Sequence, residues 1–565
     1  MTAEQRRPRP ERRLTGQSAS PGLAAGRLVV DRRAALAERV AGTPAEERAA
    51  LDAALAAASE RIADLAGDAD AMGGEILEFQ LALLEDSALS DPAYTMIDDG
   101  APAPDAWASA IDAQIDDYEA AGDDYFRARA DDLRDLKDRV LARLADAEDG
   151  DRVPGPDSIL VAADLTPSRF LEIDWIRCLG AAVASGSASS HVAMLARARG
   201  VPLVVGLDGD IAGLETGAPA LLDAVDGTLT VDPEAESEHA FAGRLAADEA
   251  ARAEQAAYLD RPAATAAGEA VAVLINVDDP ALLDAVDPGH CDGIGLTRTE
   301  FLFYDRDGRE RDGRDRDGRD RDGRGGVDGL PDEETQYRAY ARLVAWAEGR
   351  PVTVRTLDAG GDKPLPGLTA EDEADPFLGL RGLRLSLARP DVFKVQLRAL
   401  ARAAVEGPLK IMVPMVTAPE EMAEAAALLD AAVSELEAEG VAARRPELGM
   451  MVEVPAAALS VDRFDAAFFS IGSNDLVQYV TAAGRGNRHV ARVYDPRHPA
   501  VLELIARVAS HGRVAGVEVS LCGDMAGDPE LLGLLLDAGL RTVSVAPSAL
   551  ARTKAAIAAH GGGTG

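Results

Sequence analysis

Cysteine, lysine and aromatic side chains are all scarce in this chain of 565 residues, and each scarcity narrows what the protein can be. The three cysteines, Cys178, Cys291 and Cys522, are odd in number and far apart. That speaks against a disulfide framework or a zinc knuckle and fits a reducing compartment. No apolar run approaches the roughly 18–20 residues needed to cross a bilayer. The basic opening "MTAEQRRPRPERRLTG" leads into no apolar stretch of the secretory kind. The expectation is a soluble, cytoplasmic protein with no membrane insertion. Only five of the 58 basic residues are lysine, against 97 acidic residues and a net charge of −39. The acidic excess is spread along the chain, which disfavours nucleic acid as a partner. Concentrated cations screen a charge that would otherwise strain the fold, so a halophilic protein is expected.

At this length a single core is not enough, and two to four domains are expected. Residues 14–32 read as a Gly/Pro turn and a short strand. From about 33 to 149, stretches such as "AEERAALDAALAAASERIADLAG" and "DDLRDLKDRVLARLADAE" keep apolar residues three and four apart. That spacing predicts an all-helical insertion of about four helices. Strand-like runs return as "SILVAADL", "CLGAAVA", "PLVVG" and "ALLDAVDGTLTV". Residues 1–32 and 150–233 are therefore expected to form one α/β domain around the insertion 33–149, followed by a linker helix over 234–261. From 262 to 565 eight β-rich runs alternate with helical patterns: "AVAVLINV", "DGIGLTR", "VTVRTLD", "KIMVPMV", "LGMMVEV", "AAFFSIGSND", "VEVSLCGDM" and "RTVSVAPS". That is the arithmetic of a (β/α)8 TIM-type barrel. The fold class expected is a multidomain α/β protein.

Seven histidines are present, and one of them stands at a junction, in "GSASSHVAMLARARGVPLVVG" over 186–206. A lone histidine is more often a satisfied structural residue than a catalyst. Here Ser189 and Ser190 are N-cap candidates that place His191 in the first turn of a helix ending at Gly200. A helix N-terminus favours negative charge and lowers the pKa of a nearby imidazole. A neutral imidazole among hydroxyls and backbone N–H groups suits a nucleophile that takes a phosphoryl group and holds the resulting dianion.

Polar residues also collect where the barrel strands should end: Arg298, Arg355, Asp358, Glu453, Asn474, Asp475, Cys522 and Asp524. Active sites of such barrels lie at that face. Glu453 and Asp475 can hold Mg2+ and leave positions open for a phosphate. Arg298, Arg355 and Arg485 can clamp phosphate and carboxylate oxygens in pairs. Cys522 is a thiol able to give or take one proton. A small phosphorylated carboxylic acid is the natural ligand of that set. Residues 305–326, "DRDGRERDGRDRDGRDRDGRGG", alternate in charge and lack apolar side chains, so a disordered surface loop is expected. Their D-x-D-G spacing lacks the twelve-residue geometry and closing glutamate of a calcium loop.

Longer motifs surround these residues in a fixed order. "ASPGLAAG" and "VAADLTPS" precede the histidine segment. "GIGLTRTEFLF", "RTLDAGGDKPLP", "DPFLGLRGLRL", "GMMVEVPAAAL", "FFSIGSNDLVQYVTAAGRGN", "YDPRHPAVLELI" and "LCGDMAGDPE" run through the barrel. On these motifs, over nearly the whole length, the chain resembles the phosphoenolpyruvate–protein phosphotransferase family (Enzyme I of the sugar phosphotransferase system), among the PEP-utilising enzymes. The resemblance implies that His191 is the phosphorylated histidine and that Arg298, Arg355, Asn474, Asp475 and Arg485 contact phosphoenolpyruvate (PEP), with Arg381 a helper. It implies Glu453 and Asp475 as ligands of Mg2+, and Cys522 as the proton donor to C3 of the departing enolpyruvate. It further implies a swivelling phosphohistidine domain, a helical insertion that binds the small carrier HPr, and a homodimer formed through the barrel. The cycle implied is PEP to His191, then to a histidine of HPr, as the first step of sugar uptake.

The chain departs from the family pattern at Ser187, Ala188, Ser189 and Gly484, where a glycine, a frequently basic residue, a threonine and an acidic residue are usual. Pyruvate–phosphate dikinases and PEP synthases share the phosphohistidine and barrel domains, but they need an ATP-grasp domain for which this chain has no room. A scaffold with a dead site is the reading from another class, and the filled catalytic positions argue against it.

Overall fold

The structure is a computed structural model. It describes residues 10–561 apart from 32–41, 69–76, 78–79, 82, 85–86, 121–123, 146–153, 187–189, 210, 212, 279, 304–329, 362–364, 366–367, 370–372, 374, 485–489 and 491. The charged tract 305–326, Ser187 to Ser189, and Arg485 lie outside the described residues. Contacts divide the chain into two compact units, one up to Ala250 and one from Ala251 onward.

The first unit is built on a sheet of eight strands: β1 (Arg12–Thr15), β2 (Gln17–Ser20), β3 (Leu23–Asp31), β4 (Ser158–Ala162), β5 (Cys178–Val183), β6 (Leu203–Val205), β7 (Pro219–Asp223) and β8 (Thr228–Val231). Their order is β1-β8-β7-β3-β4-β5-β6-β2. The central β3, β4, β5 and β6 are parallel, and the outer pairings are antiparallel. Strand β4 is buried along its whole length. Leu160 and Ala162 enter one core, whereas Ile159 and Val161 enter the core on the opposite face. A strand covered on both faces needs apolar residues on both, which is why "ILVA" after Ser158 reads as a continuous run. Residues 14–32, expected to give one short strand, contribute to three. The short β1 and β2 pair with β8 and β6, about two hundred residues away along the chain, so their neighbours carry no local signal for them.

Four helices are described in the insertion: Pro44–Asp68, Ser87–Asp98, Ala103–Ala120 and Asp124–Leu144. They share a core that includes Leu51, Ile62, Ile97, Trp107, Ile111 and Leu136, all fully buried. A polar joint seats this bundle on the sheet domain. Buried Asp135 accepts from Gln80 Nε2 at 2.8 Å, from Thr166 Oγ1 at 3.0 Å and from Ser168 Oγ. Arg139 donates to Glu172 at 2.9 Å and to Ser168 Oγ at 2.7 Å. The linker reading corresponds to the helix Ala235–Ala256, where Phe241 is the buried residue.

In the second unit all eight β-rich runs are strands: β9 (Ala272–Val277), β10 (Ile294–Thr297), β11 (Val352–Arg355), β12 (Leu409–Val413), β13 (Glu447–Val452), β14 (Phe468–Gly472), β15 (Glu518–Cys522) and β16 (Thr542–Val545). Every neighbour pair is parallel, and β16 closes on β9 to complete a barrel. Strand parity divides the side chains between two environments. Ile411, Val413, Met450, Val452, Phe469, Ile471 and Leu521 join the outer core under the helices, whereas Leu296, Met412, Met451, Phe468 and Cys522 cluster separately inside the barrel. Among the described residues no helix is long and apolar enough to cross a membrane.

Candidate active site

The same parity dictates which polar residues enter the barrel mouth. Leu296 faces inward, so Arg298 two residues later does too. Met451 likewise points Glu453 inward, Val352 and Val354 in the outer core leave Arg355 to the interior, and Cys522 is itself an interior residue. Six of the residues singled out from the sequence thus stand at C-terminal strand ends: Arg298, Arg355, Glu453, Asn474, Asp475 and Cys522. Arg381, which opens no strand, joins them from the connection after β11.

Buried acidic residues organise the arginines. Arg355 donates Nη2 to Glu300 Oε1 at 2.7 Å and pairs through Nη1 with Asp358 Oδ2 at 3.1 Å. Arg381 grips the same Asp358 through Nε at 3.2 Å and Nη2 at 2.8 Å. Its Nη2 also lies 3.5 Å from Asp475 Oδ2. Burial opposes the charge on Arg355 and Arg381, but the facing carboxylates outweigh it, Glu300 and Asp358 for the first and Asp358 for the second. Both guanidinium groups are held above their ordinary value. Arg298 pairs with Asp278 at 3.1 Å, which raises it as well.

Glu453 is almost wholly buried, and its Oε1 accepts from the backbone N–H of Met415 at 2.7 Å. Met415 adopts a left-handed φ of +59°, uncommon for a residue with a side chain, and this turns its N–H toward the carboxylate. Burial, and after it the charges of Asp475 and Asp358, push the Glu453 carboxyl up to about 8. Cys522 is pushed up to about 11, first by burial, so it is a neutral thiol at physiological pH. Its Sγ lies 3.8 Å from Ser470 Oγ and 3.6 Å from the Ile471 carbonyl.

The turn after Cys522 depends on Gly523, at φ +103°. A Cβ there would stand 2.3 Å from Ser473 Oγ and 2.9 Å from Asn474 Oδ1. The glycine lets Asp524 N–H donate to Asn474 Oδ1 at 3.0 Å, which orients the amide. Around the arginines four buried polar atoms have no hydrogen-bond partner among the described residues: Thr297 Oγ1, Glu300 Oε2, Arg355 Nε and Thr356 Oγ1. Buried polar atoms are rarely left so. No group of three or more His, Cys, Asp or Glu side chains is arranged to hold a metal among the described residues. Of the carboxylates at the mouth, Glu300 and Asp358 pair with Arg355 and Arg381, and Glu453 and Asp475 are the two named from the sequence.

His191 belongs to the other unit, at the start of the helix His191–Arg199. Its cap is the expected one: Ser190 is extended at ψ 159°, its Oγ accepts from Ala193 N–H at 3.3 Å, and Gly200 ends the helix at φ +66°. The side chain of His191 and all of Arg485 lie outside what the structure describes. The sequence had named no task for Glu300, Met415 or Tyr479. Two signals could have found the first and last of them: Glu300 follows Arg298 by two residues, and Tyr479 follows Asp475 by four, one helical turn.

Comparison with known proteins matches three successive stretches of the chain. Residues 15–129 match the N-terminal domain of PEP-utilising enzymes, 154–227 their mobile domain and 252–561 their PEP-binding domain. The chain is 38% identical over 521 residues to the phosphoenolpyruvate-protein phosphotransferase of Haloferax volcanii, covering 91% of this chain and 86% of that one. It is 36% identical over 563 residues to the protein of that name from Geobacillus stearothermophilus, covering 97% and 93%. A solution NMR structure of Enzyme I aligns at 26% identity over 42% of this chain and 99% of the other, with a TM-score of 0.35.

Proposed function

The chain belongs to the PEP-utilising enzymes and is a phosphoenolpyruvate-protein phosphotransferase, and from that premise we propose that it moves the phosphoryl group of PEP to His191 and then to a histidine of an HPr-type carrier. The observation that carries this reading is the barrel mouth, where Arg298, Arg355, Arg381 and the buried Cys522 thiol stand among the carboxylates of Glu300, Asp358, Glu453 and Asp475. Arg298, Arg355 and Arg485, helped by Arg381, bind the phosphate and carboxylate of PEP and neutralise charge that shifts toward the bridging oxygen as the P–O bond breaks. Asn474, oriented by the N–H of Asp524, donates to the substrate. The electron pair of the broken bond becomes the enolate of pyruvate while a P–N bond forms on His191. The Cys522 thiol gives its proton to C3 of that enolate and regains one from solvent.

The donor set fits magnesium. Glu453, raised first by burial and then by the charge of Asp475, forms with Asp475 the hard oxygen pair that a divalent cation stabilises, with its remaining positions left to water and substrate. Glu453 and Asp475 would hold the ion, which when bound screens the phosphate charge. The helices of the insertion are the carrier's docking platform, the sheet domain is the swivelling phosphohistidine domain, and the barrel forms the homodimer. The acidic composition suits a cytoplasm of high salt.

The experiment is labelling with radioactive PEP and Mg2+. Wild type is expected to acquire an acid-labile phosphate and His191→Ala none. Equal labelling of the two would remove His191 from the reaction.

A further inference from the structure

Tyr479 takes no part in the reading above, yet its hydroxyl has two partners on a different segment. It accepts from Arg381 Nη1 at 3.2 Å and donates to the Phe377 carbonyl at 2.7 Å. Tyr479 and Asp475 are four residues apart on the helix Ser473–Thr481, so they project from one face of it. From that face Asp475 approaches Nη2 of the guanidinium and Tyr479 approaches Nη1. Asp358 holds the remaining edge. Arg381 is thus gripped between the end of β11 and the helix that follows β14.

The segment around Phe377 has reason to need such a grip. Phe377, Leu378 and Leu380 are all exposed, Leu378 at 65%, so little apolar burial anchors it. Leu380 N–H donates locally to Glu373, and Arg384, itself held by Thr417 Oγ1, donates to the carbonyls of Leu378 and Gly379. The Tyr479 hydroxyl ties this segment to the helix carrying Asn474 and Asp475, beside the longer contact of Arg381 Nη2 with Asp475.

We propose that Tyr479 is a positioning residue, which through one hydroxyl sets where Arg381 stands relative to Asn474 and Asp475 when PEP binds. The inference rests on the barrel mouth being the PEP site. Burial pushes the Tyr479 hydroxyl up to about 12, so it remains protonated and keeps both bonds across the neutral range. The nearer acceptor of its one hydrogen is the Phe377 carbonyl at 2.7 Å, with Met415 Sδ farther off at 4.0 Å.

The test is a double-mutant cycle on the full chain, with PEP affinity by calorimetry and KM and kcat by pyruvate release. Tyr479→Phe removes the hydroxyl and keeps the ring. It is expected to weaken PEP binding and raise KM on the order of tenfold, the size of one lost hydrogen bond to a charged group. The thermal midpoint and kcat should move little. In the Arg381→Lys background the same substitution should change PEP affinity less than about twofold, since its partner geometry is already gone. Equal effects in the two backgrounds, or a lowered thermal midpoint with unchanged KM, would overturn the role of Tyr479. Wild type that binds no PEP would instead overturn the underlying reading of the site.

Discussion

The Asp358 carboxylate stands between two guanidinium groups, 3.1 Å from Arg355 Nη1 and 2.8 Å from Arg381 Nη2, with all three side chains buried. It is the joint that makes the arginines one rigid unit. Removing it leaves two buried cations facing each other with less compensation. Asp358→Ala is expected to destabilise the barrel by about 3–5 kcal/mol, as breaking a buried pair does. Asp358→Asn, which keeps the shape and part of the hydrogen bonding, should cost less and should raise KM for PEP more than it lowers kcat. Chemical denaturation together with pyruvate-release kinetics decides it; an unchanged unfolding midpoint for Asp358→Ala would mean the joint carries no weight.

Cys522 separates the two halves of the proposed chemistry. Its thiol acts on carbon, so Cys522→Ala is expected to slow pyruvate release while phosphorylation by phosphorylated carrier, in reverse, continues. Loss of both reactions would mean that the thiol serves phosphorus transfer or the fold instead.

All three cysteines are buried, and burial raises Cys178 and Cys291 as it raises Cys522. The thiolate is the reactive form. Native protein at about pH 8 is therefore expected to alkylate with iodoacetamide far more slowly than the denatured chain, at every cysteine. Mass spectrometry of partially alkylated protein reads this directly, and rapid labelling of Cys522 would contradict its raised pKa.

Glu453 predicts a pH dependence with a definite sign. Its folded pKa, about 8, lies above the ordinary 4.5, so the folded state binds the proton more tightly than the unfolded chain. The associated stability is complete below about 4.5 and is lost as pH rises through about 8. With a chelator present, wild type should lose more stability than Glu453→Gln between about pH 5 and pH 9, by denaturant midpoint. Identical pH profiles would show that Glu453 is already ionised at the lower pH.

Ser190 tests whether the helix start matters to its histidine. Ser190→Ala removes the hydroxyl that accepts from Ala193 N–H and should cost about 1 kcal/mol of local stability. Labelling of His191 from PEP should become slower but not vanish, which a time course of phosphate incorporation would reveal.

Much of this architecture was written in patterns of short range. Apolar residues at period two and three to four, broken by Gly and Pro, marked the eight barrel strands, the helical insertion and the helix opening at His191, because each pattern records burial on one face of a local element. The ring of polar strand ends was legible for the same reason: once β13 is a strand with Met451 inside, Glu453 must follow it inward. Composition likewise determined the charge balance and the scarcity of thiols. Only the tertiary structure decided what lies between distant segments. Edge strands β1 and β2 owe their existence to partners about two hundred residues away. Asp358 became a joint, Glu300 a counter-charge and Tyr479 a tie to Phe377 because barrel closure brings β11, β14 and their loops to one mouth. Hydrogen bonds and charge pairs depend on distances in space, and a shifted pKa such as that of Glu453 arises from burial among particular neighbours, which spacing along the chain does not encode.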